Sequence, residues 1–223
     1  MTILYSFLAV LAGYLLGSLS FAVIVSRLMG LADPRQYGSG NPGATNVLRS
    51  GNRQAAMLTL ALDALKGYVP VVAVLLSGPT LGLGEGTAAF TGLAAFVGHL
   101  WPVFFRFQGG KGVATAAGVL LALNPALGAA TLVTWVVIAA FFRYSSLASI
   151  VAALFAPFYQ LLIWGFDTGF LAIVGMSLLL VWRHEANIRK LLAGKESRIG
   201  QKAATARPAA SAARAHPKKG SHK

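Results

Sequence analysis

Val113-Ala-Thr-Ala-Ala-Gly-Val-Leu-Leu-Ala-Leu-Asn-Pro125 is the stretch that decides how often this chain crosses a membrane. Residues 113–123 are apolar or small, and Asn124-Pro125 can stop one helix and start another. Eleven helical residues span only about 17 Å, whereas a crossing helix takes about 20 residues. Merged with residues 126–142, the stretch gives six spans and leaves Arg143 on the outer side. Kept separate it gives seven, one of them short. A short span is tolerated where the neighbouring backbone lines a cavity from which lipid is excluded.

Six longer apolar stretches surround it, at about residues 3–25, 55–77, 87–105, 126–142, 147–164 and 170–182. The connections at 1–2, 77–87, 123–127 and 165–169 contain no Lys or Arg. The alternate connections hold every basic residue except Lys66. Because basic residues concentrate on the cytoplasmic side, the pattern selects seven spans. The expected fold is an all-α integral membrane protein with seven transmembrane helices, its amino terminus outside and its carboxyl terminus cytoplasmic.

Composition excludes the common alternatives. Of 223 residues, 56% are hydrophobic and 11% charged, with mean hydropathy +0.67. A soluble domain carries about 25% charged residues. The net charge of +13 lies at span ends and in residues 201–223, which hold six of the 19 basic residues. That placement favours anionic lipid and phosphate over nucleic acid as partners. With no cysteine, thiolate metal sites and cysteine nucleophiles are absent. The first apolar run lacks a basic n-region and exceeds the usual signal length, so it reads as a span. Residues 1–200 are expected to form one membrane domain, and 201–223 a basic, disordered cytoplasmic tail.

Three glycine-studded segments interrupt the spans, all on the cytoplasmic side. In Gly38-Ser-Gly-Asn-Pro-Gly-Ala-Thr-Asn-Val-Leu-Arg49, the glycines allow left-handed backbone and close ligand approach. Ser39, Asn41, Thr45 and Asn46 supply hydrogen bonds, and Arg49 can fork onto phosphate. Thr45 or Asn46 would otherwise cap a following helix. In Phe107-Gln-Gly-Gly-Lys-Gly-Val-Ala-Thr115, Gly109, Gly110 and Gly112 precede a helix amino terminus that offers free N–H groups to an anion. Lys111 adds charge and Thr115 a hydroxyl, but the Walker spacing of a nucleotide site is missing. In Arg183-His-Glu-Ala-Asn-Ile-Arg189, His184 and Asn187 are three apart and share a helix face, with Arg183 and Arg189 flanking. Histidine suits proton transfer near neutral pH.

Asp63 and Lys66, three apart inside a span, suit an ion pair facing the bundle interior. His99 in Gly98-His-Leu-Trp-Pro102 suits a hydrogen-bonded packing role. Ser146 and Ser149 share a face near the inner end of the sixth span. Ser145 suits a helix cap, and Ser149 can face the same cavity. No metal-ligand spacing, Gly-x-Ser-x-Gly elbow or His-x-x-x-x-Asp motif occurs.

These segments, with Asp63-Ala-Leu-Lys-Gly67 and Gly194-Lys-Glu196, resemble the signature motifs of the bacterial acyl-phosphate:glycerol-3-phosphate acyltransferases, the PlsY family. The resemblance covers about residues 3–200. It implies a bacterial inner-membrane enzyme with a cytosolic-facing site. The enzyme would transfer a fatty acyl group from acyl phosphate to the sn-1 hydroxyl of glycerol 3-phosphate. The products, lysophosphatidic acid and phosphate, would mark the first acylation step of phospholipid synthesis. Neither acyl-CoA nor acyl carrier protein would be the direct donor, and no cofactor, metal or obligatory protein partner is implied. By resemblance Ser39, Arg49, Lys111, Ser149, His184 and Asn187 would hold glycerol 3-phosphate and the reacting groups. The backbone of 109–115 would hold a phosphate, and Asp63, Lys66, His99, Arg183 and Glu196 would support them. Gln108 stands where the family usually has Lys, and Pro42 replaces a commonly apolar residue. The expected chemistry is direct attack by the glycerol hydroxyl, its proton passing to His184 or to a substrate phosphate oxygen. The competing reading is a membrane transporter of a small phosphate ester. It would need polar groups along a route to the outer face, where Glu85 and Asp167 are few and lie in loops.

Overall fold

The computed structural model describes residues 1–201. Apart from Gln201, the expected tail lies outside the described residues. The described chain is all helical: α1 Thr2–Gly17, α2 Phe21–Leu28, α3 Ala44–Leu48, α4 Arg53–Leu81, α5 Glu85–Leu100, α6 Val113–Leu123, α7 Pro125–Phe142, α8 Ser145–Ile163, α9 Thr168–Arg183 and α10 Glu185–Leu192. A 3-10 turn at Val103–Phe105 follows α5.

Four units are long and apolar enough to cross a membrane: α4, α5 with its following turn, α7 and α8. The bent pairs α1–α2 and α9–α10, at 43° and 55°, bring the count to as many as six if each pair is one span. α6 is a shorter apolar helix of 11 residues.

α6 and α7 are separate helices because Asn124 is extended, with φ −152° and ψ 109°. Its Oδ1 accepts the Ala126 and Leu127 N–H groups, and Pro125 occupies the first turn, where its missing N–H costs nothing. The chain reverses there so tightly that a Cβ on Gly128 would lie 2.6 Å from Leu121 Cα.

The continuous first span expected at 3–25 is instead broken between Gly17 and Phe21. Ser18 Oγ donates back to Tyr14 O at 2.8 Å, and the freed Leu19 carbonyl accepts from Lys66 Nζ at 2.6 Å. A buried ammonium thus satisfies the backbone that the break exposes.

Small residues set the packing. Gly13 and Gly17 of α1 lie on Thr91 and Ala95 of α5, so these helices run parallel. Gly86 meets Thr168 and Gly175 meets Leu93, so α9 runs with α5. Val71 of α4 and Val119 of α6 both face Gly92, while Gly67 meets Thr115, so α4 and α6 run together, opposite to α5. Phe96, Leu100, Val71, Val119, Leu127 and Ile173 fill the core. These directions gather all three glycine-studded segments at one end of the bundle.

The close glycine contacts make overpacking testable. A Cβ on Gly17 would sit 2.0 Å from Ala95 O, whereas one on Gly84 meets nothing within 4 Å. Gly17→Ala is expected to cost about 1–3 kcal/mol through displaced backbone. Gly84→Ala is expected to stay within about 0.5 kcal/mol. Thermal unfolding of the detergent-solubilised chain distinguishes the two.

Candidate anion site at one end of the bundle

The first segment is a loop folded around one amide. Asn46 is 2% exposed. Its Nδ2 donates to Pro34 O and Tyr37 O at 2.6 and 3.1 Å, and its Oδ1 accepts from Ser39 N at 2.9 Å. Expected to bind substrate, it instead spends its side chain holding the loop. Gly38 and Gly40 have φ of +59° and +69°, and Gly38 lies against Asn46. Neither Thr45 nor Asn46 caps α3, which starts after Gly43 without a side-chain cap. Ser39 and Thr45 are exposed and Asn41 is partly so. Thr45 Oγ1 reaches to 3.4 Å from Ser145 Oγ, and Arg49 donates to Ser197 Oγ.

The second segment packs so closely that only glycine fits. A Cβ on Gly109 would lie 2.1 Å from His99 O, and one on Gly110 would lie 2.2 Å from His99 Nε2. Gly112 has φ +80°, in the left-handed region glycine tolerates. Arg183 Nη2 donates to Gly109 O and Gly110 O at 3.0 and 3.1 Å, and its Nε to Gly110 O at 3.3 Å. Gly110 N donates to His99 O at 3.1 Å. No side chain caps α6, so its first-turn N–H groups remain available beside Lys111. Thr115, also expected at the substrate, is fully buried and faces inward, 3.2 Å from His99 Nδ1. Gln108 is exposed and lines a neighbouring groove of about 510 Å³ with Arg35, Phe104 and Arg106.

The third segment starts where α9 breaks into α10. His184 is 3% exposed, and its Nδ1 lies 2.8 Å from Leu180 O. A carbonyl only accepts, so Nδ1 carries the proton and Nε2 keeps its lone pair. Burial, with Lys111 and Arg183 nearby, lowers the His184 pKa to about 4. Burial likewise lowers Lys111 to about 8, opposed by Glu196 and reinforced by Arg183, Lys190 and Arg49. Lys111 Nζ donates to Asn187 Oδ1. Asn187 Nδ2 in turn donates to Glu196 Oε1 at 2.7 Å, which also accepts from Ser146 Oγ at 2.8 Å. Lys111, Asn187, Glu196 and Ser146 thus form one chain of hydrogen bonds. Arg189 instead pairs with Glu185 on the surface.

Beneath the loop, Lys66 Nζ lies 3.0 Å from Asp63 Oδ1, which is 3.6 Å from His99 Nδ1. Both residues of the ion pair are buried. Ser149 is buried, donates to Ser145 O at 2.7 Å and accepts from Trp135 Nε1 at 3.0 Å. Ser145 opens α8 but makes no cap bond. Sequence reasoning missed Ser197 and Trp135. Neither lies at a helical interval from its partner; the Gly194-Lys-Glu196 match was the one hint toward Ser197.

The family model described as glycerol-3-phosphate acyltransferase matches residues 7–194. Curated relatives of that name come from Ralstonia nicotianae, 62% identical across 90% of this chain and 97% of the relative, and from Herminiimonas arsenicoxydans, 61% identical across 90% and 98%. Two crystal structures of PlsY, an integral membrane glycerol 3-phosphate acyltransferase, share the fold. The glycerol 3-phosphate form is 38% identical with TM-score 0.81, covering 88% of this chain and 96% of that one. The lysophosphatidic acid form is 37% identical with TM-score 0.79, covering 87% and 95%. A glycine loop locked by Arg183 on an uncapped helix, in an apolar bundle that matches the family from residue 7 to 194, places this chain in the glycerol-3-phosphate acyltransferase family.

Proposed function

We infer that this integral membrane protein is an enzyme that acylates glycerol 3-phosphate to lysophosphatidic acid. The observation that carries the reading is the glycine loop held by Arg183 before an uncapped helix amino terminus, with Lys111 in that loop and Arg49 near enough to lower its pKa, in a family named for this substrate. We further propose acyl phosphate as the donor and the sn-1 hydroxyl as the acceptor. We place the chain in the bacterial cytoplasmic membrane with seven spans, α6 being the short one. The amino terminus would lie outside, with the site and the basic tail at 201–223 in the cytoplasm. The lysine-free and arginine-free alternate connections and the opposed directions of consecutive helices support that placement.

The reaction joins the glycerol oxygen to the acyl carbon and breaks the carbon–oxygen bond to phosphate. Acyl phosphate carries a good leaving group, so no covalent acyl-enzyme is required. The task is to hold two anions side by side with one hydroxyl aimed at the carbonyl. Lys111, Arg49 and the first-turn N–H groups of α6 offset the repulsion and stabilise the developing oxyanion. Ser39, Asn41 and Thr45 rim the mouth and hydrogen-bond the glycerol end, while Ser149 and Asn187 border the interior.

His184 Nε2 accepts a hydrogen bond from the attacking hydroxyl and orients it. With a pKa of about 4, His184 is a poorer base than a phosphate oxygen, whose second pKa is about 6. We propose that the proton passes to a substrate phosphate oxygen, with His184 Nε2 as its hydrogen-bond partner on the way.

Purified protein given acyl phosphate and labelled glycerol 3-phosphate is expected to yield lysophosphatidic acid, with no product when acyl-CoA replaces acyl phosphate. Ring nitrogen-15 spectra are expected to show His184 neutral and protonated on Nδ1 at pH about 6.5, where a free imidazole is half protonated. A charged ring there would contradict the assignment. Lys111 carries its charge below its pKa of about 8 and loses it above. KM for glycerol 3-phosphate is therefore expected to rise as pH passes that value. Lys111→Arg, charged throughout, is expected to flatten that rise.

A further inference from the structure

We propose that His99 is a positioning residue that sets the substrate loop from both of its ends. The inference rests on the reading that this loop holds the phosphate of glycerol 3-phosphate. On the upstream side, His99 O accepts the Gly110 N–H at 3.1 Å. On the downstream side, His99 Nδ1 meets Thr115 Oγ1 at 3.2 Å, within the first turn of α6. Between them the ring edge lies directly under Gly110, where an added Cβ would strike Nε2. Lys111 sits inside this bracket, and its direction follows the backbone that His99 supports.

Below the ring lies a buried ion pair. Asp63 Oδ1 stands 3.6 Å from Nδ1 and 3.0 Å from Lys66 Nζ. The same Nζ donates to Leu19 O, at the break between α1 and α2. Asp63, His99 and Thr115 are each less than a tenth exposed, so no solvent relaxes the array. The buried contact between Thr115 Oγ1 and His99 Nδ1 fixes the ring against the loop, and losing either member leaves the other unsatisfied. His99 thereby acts on the substrate through the loop, without touching it.

The test uses the full chain in detergent micelles with the variants His99→Ala, His99→Asn and Thr115→Val. His99→Ala is expected to raise KM for glycerol 3-phosphate roughly ten-fold, with kcat nearly unchanged, since a misplaced loop weakens binding. It is also expected to reduce the rise in unfolding midpoint that a fixed concentration of glycerol 3-phosphate gives the wild type. His99→Asn, which keeps a hydrogen-bonding atom near the Nδ1 position, is expected to recover most of both. A wild-type KM in His99→Ala, a loss in kcat alone, or no recovery in His99→Asn would overturn the proposal. If His99→Ala does not fold, Thr115→Val carries the test, because it removes the same Nδ1–Oγ1 contact while leaving the ring in place. A raised KM supports the proposal and an unchanged one sinks it. A wild-type protein that neither turns over nor is stabilised by glycerol 3-phosphate would sink the functional reading instead.

Discussion

The guanidinium of Arg183 is the constraint on which the site depends. It stands at the end of α9 and donates to two consecutive carbonyls, Gly109 O and Gly110 O. Buried peptide carbonyls need partners, and a glycine loop supplies none of its own. Arg183 takes both carbonyls, while the Gly110 N–H is held by His99 O. The first turn of α6 then keeps its donors and its positive dipole end for a ligand. A lysine at this position would offer a single point charge in place of a planar fork, so two carbonyls would compete for it.

Crowding cations around that loop is expensive without a ligand. Burial chiefly, with Arg183, Lys190 and Arg49 adding to it, lowers the Lys111 pKa to about 8. Glu196 is the counterweight: it draws on Asn187, which holds Lys111, and on Ser146 of α8. On the proposed function, a phosphate dianion entering this cluster would supply the missing negative charge, so that binding and charge on Lys111 would reinforce one another. Burial, with Lys111 and Arg183 beside it, lowers the His184 pKa to about 4, so the ring is neutral near pH 7 before a ligand enters.

Much of this was legible from residues alone. Lengths and charge placement anticipated the helices near 55–77, 87–105, 113–123, 126–142, 147–164 and 170–182, within a few residues of those observed. The break at Ser18–Ser20 was not, because its compensation comes from Lys66, 47 residues away, and apolar composition continues across it. Asn46 and Thr115 show a second limit. Polar residues in a glycine-rich segment look alike in sequence whether they face a ligand or tie the loop, and only their burial separates the two. Asn187 and Glu196 were both singled out, yet their joint link to Lys111 requires the turn at Gly194, where φ is +64°.

On the proposed anion site, the shortness of α6 follows from the same chemistry. An anion site made from a helix amino terminus must begin where the ligand sits, not at the surface, so turns at that end of the helix have to be given up. The non-helical backbone left there survives only if protein surrounds it. Thr115, Gly118, Val119 and Leu120 are buried, and Gly67 and Gly118 let α4 and α6 touch backbone to backbone. Larger residues at those two glycines would hold the helices apart and open the loop to lipid or water. The length of Val113–Leu123 is thus the geometric cost of placing free N–H groups inside the bundle.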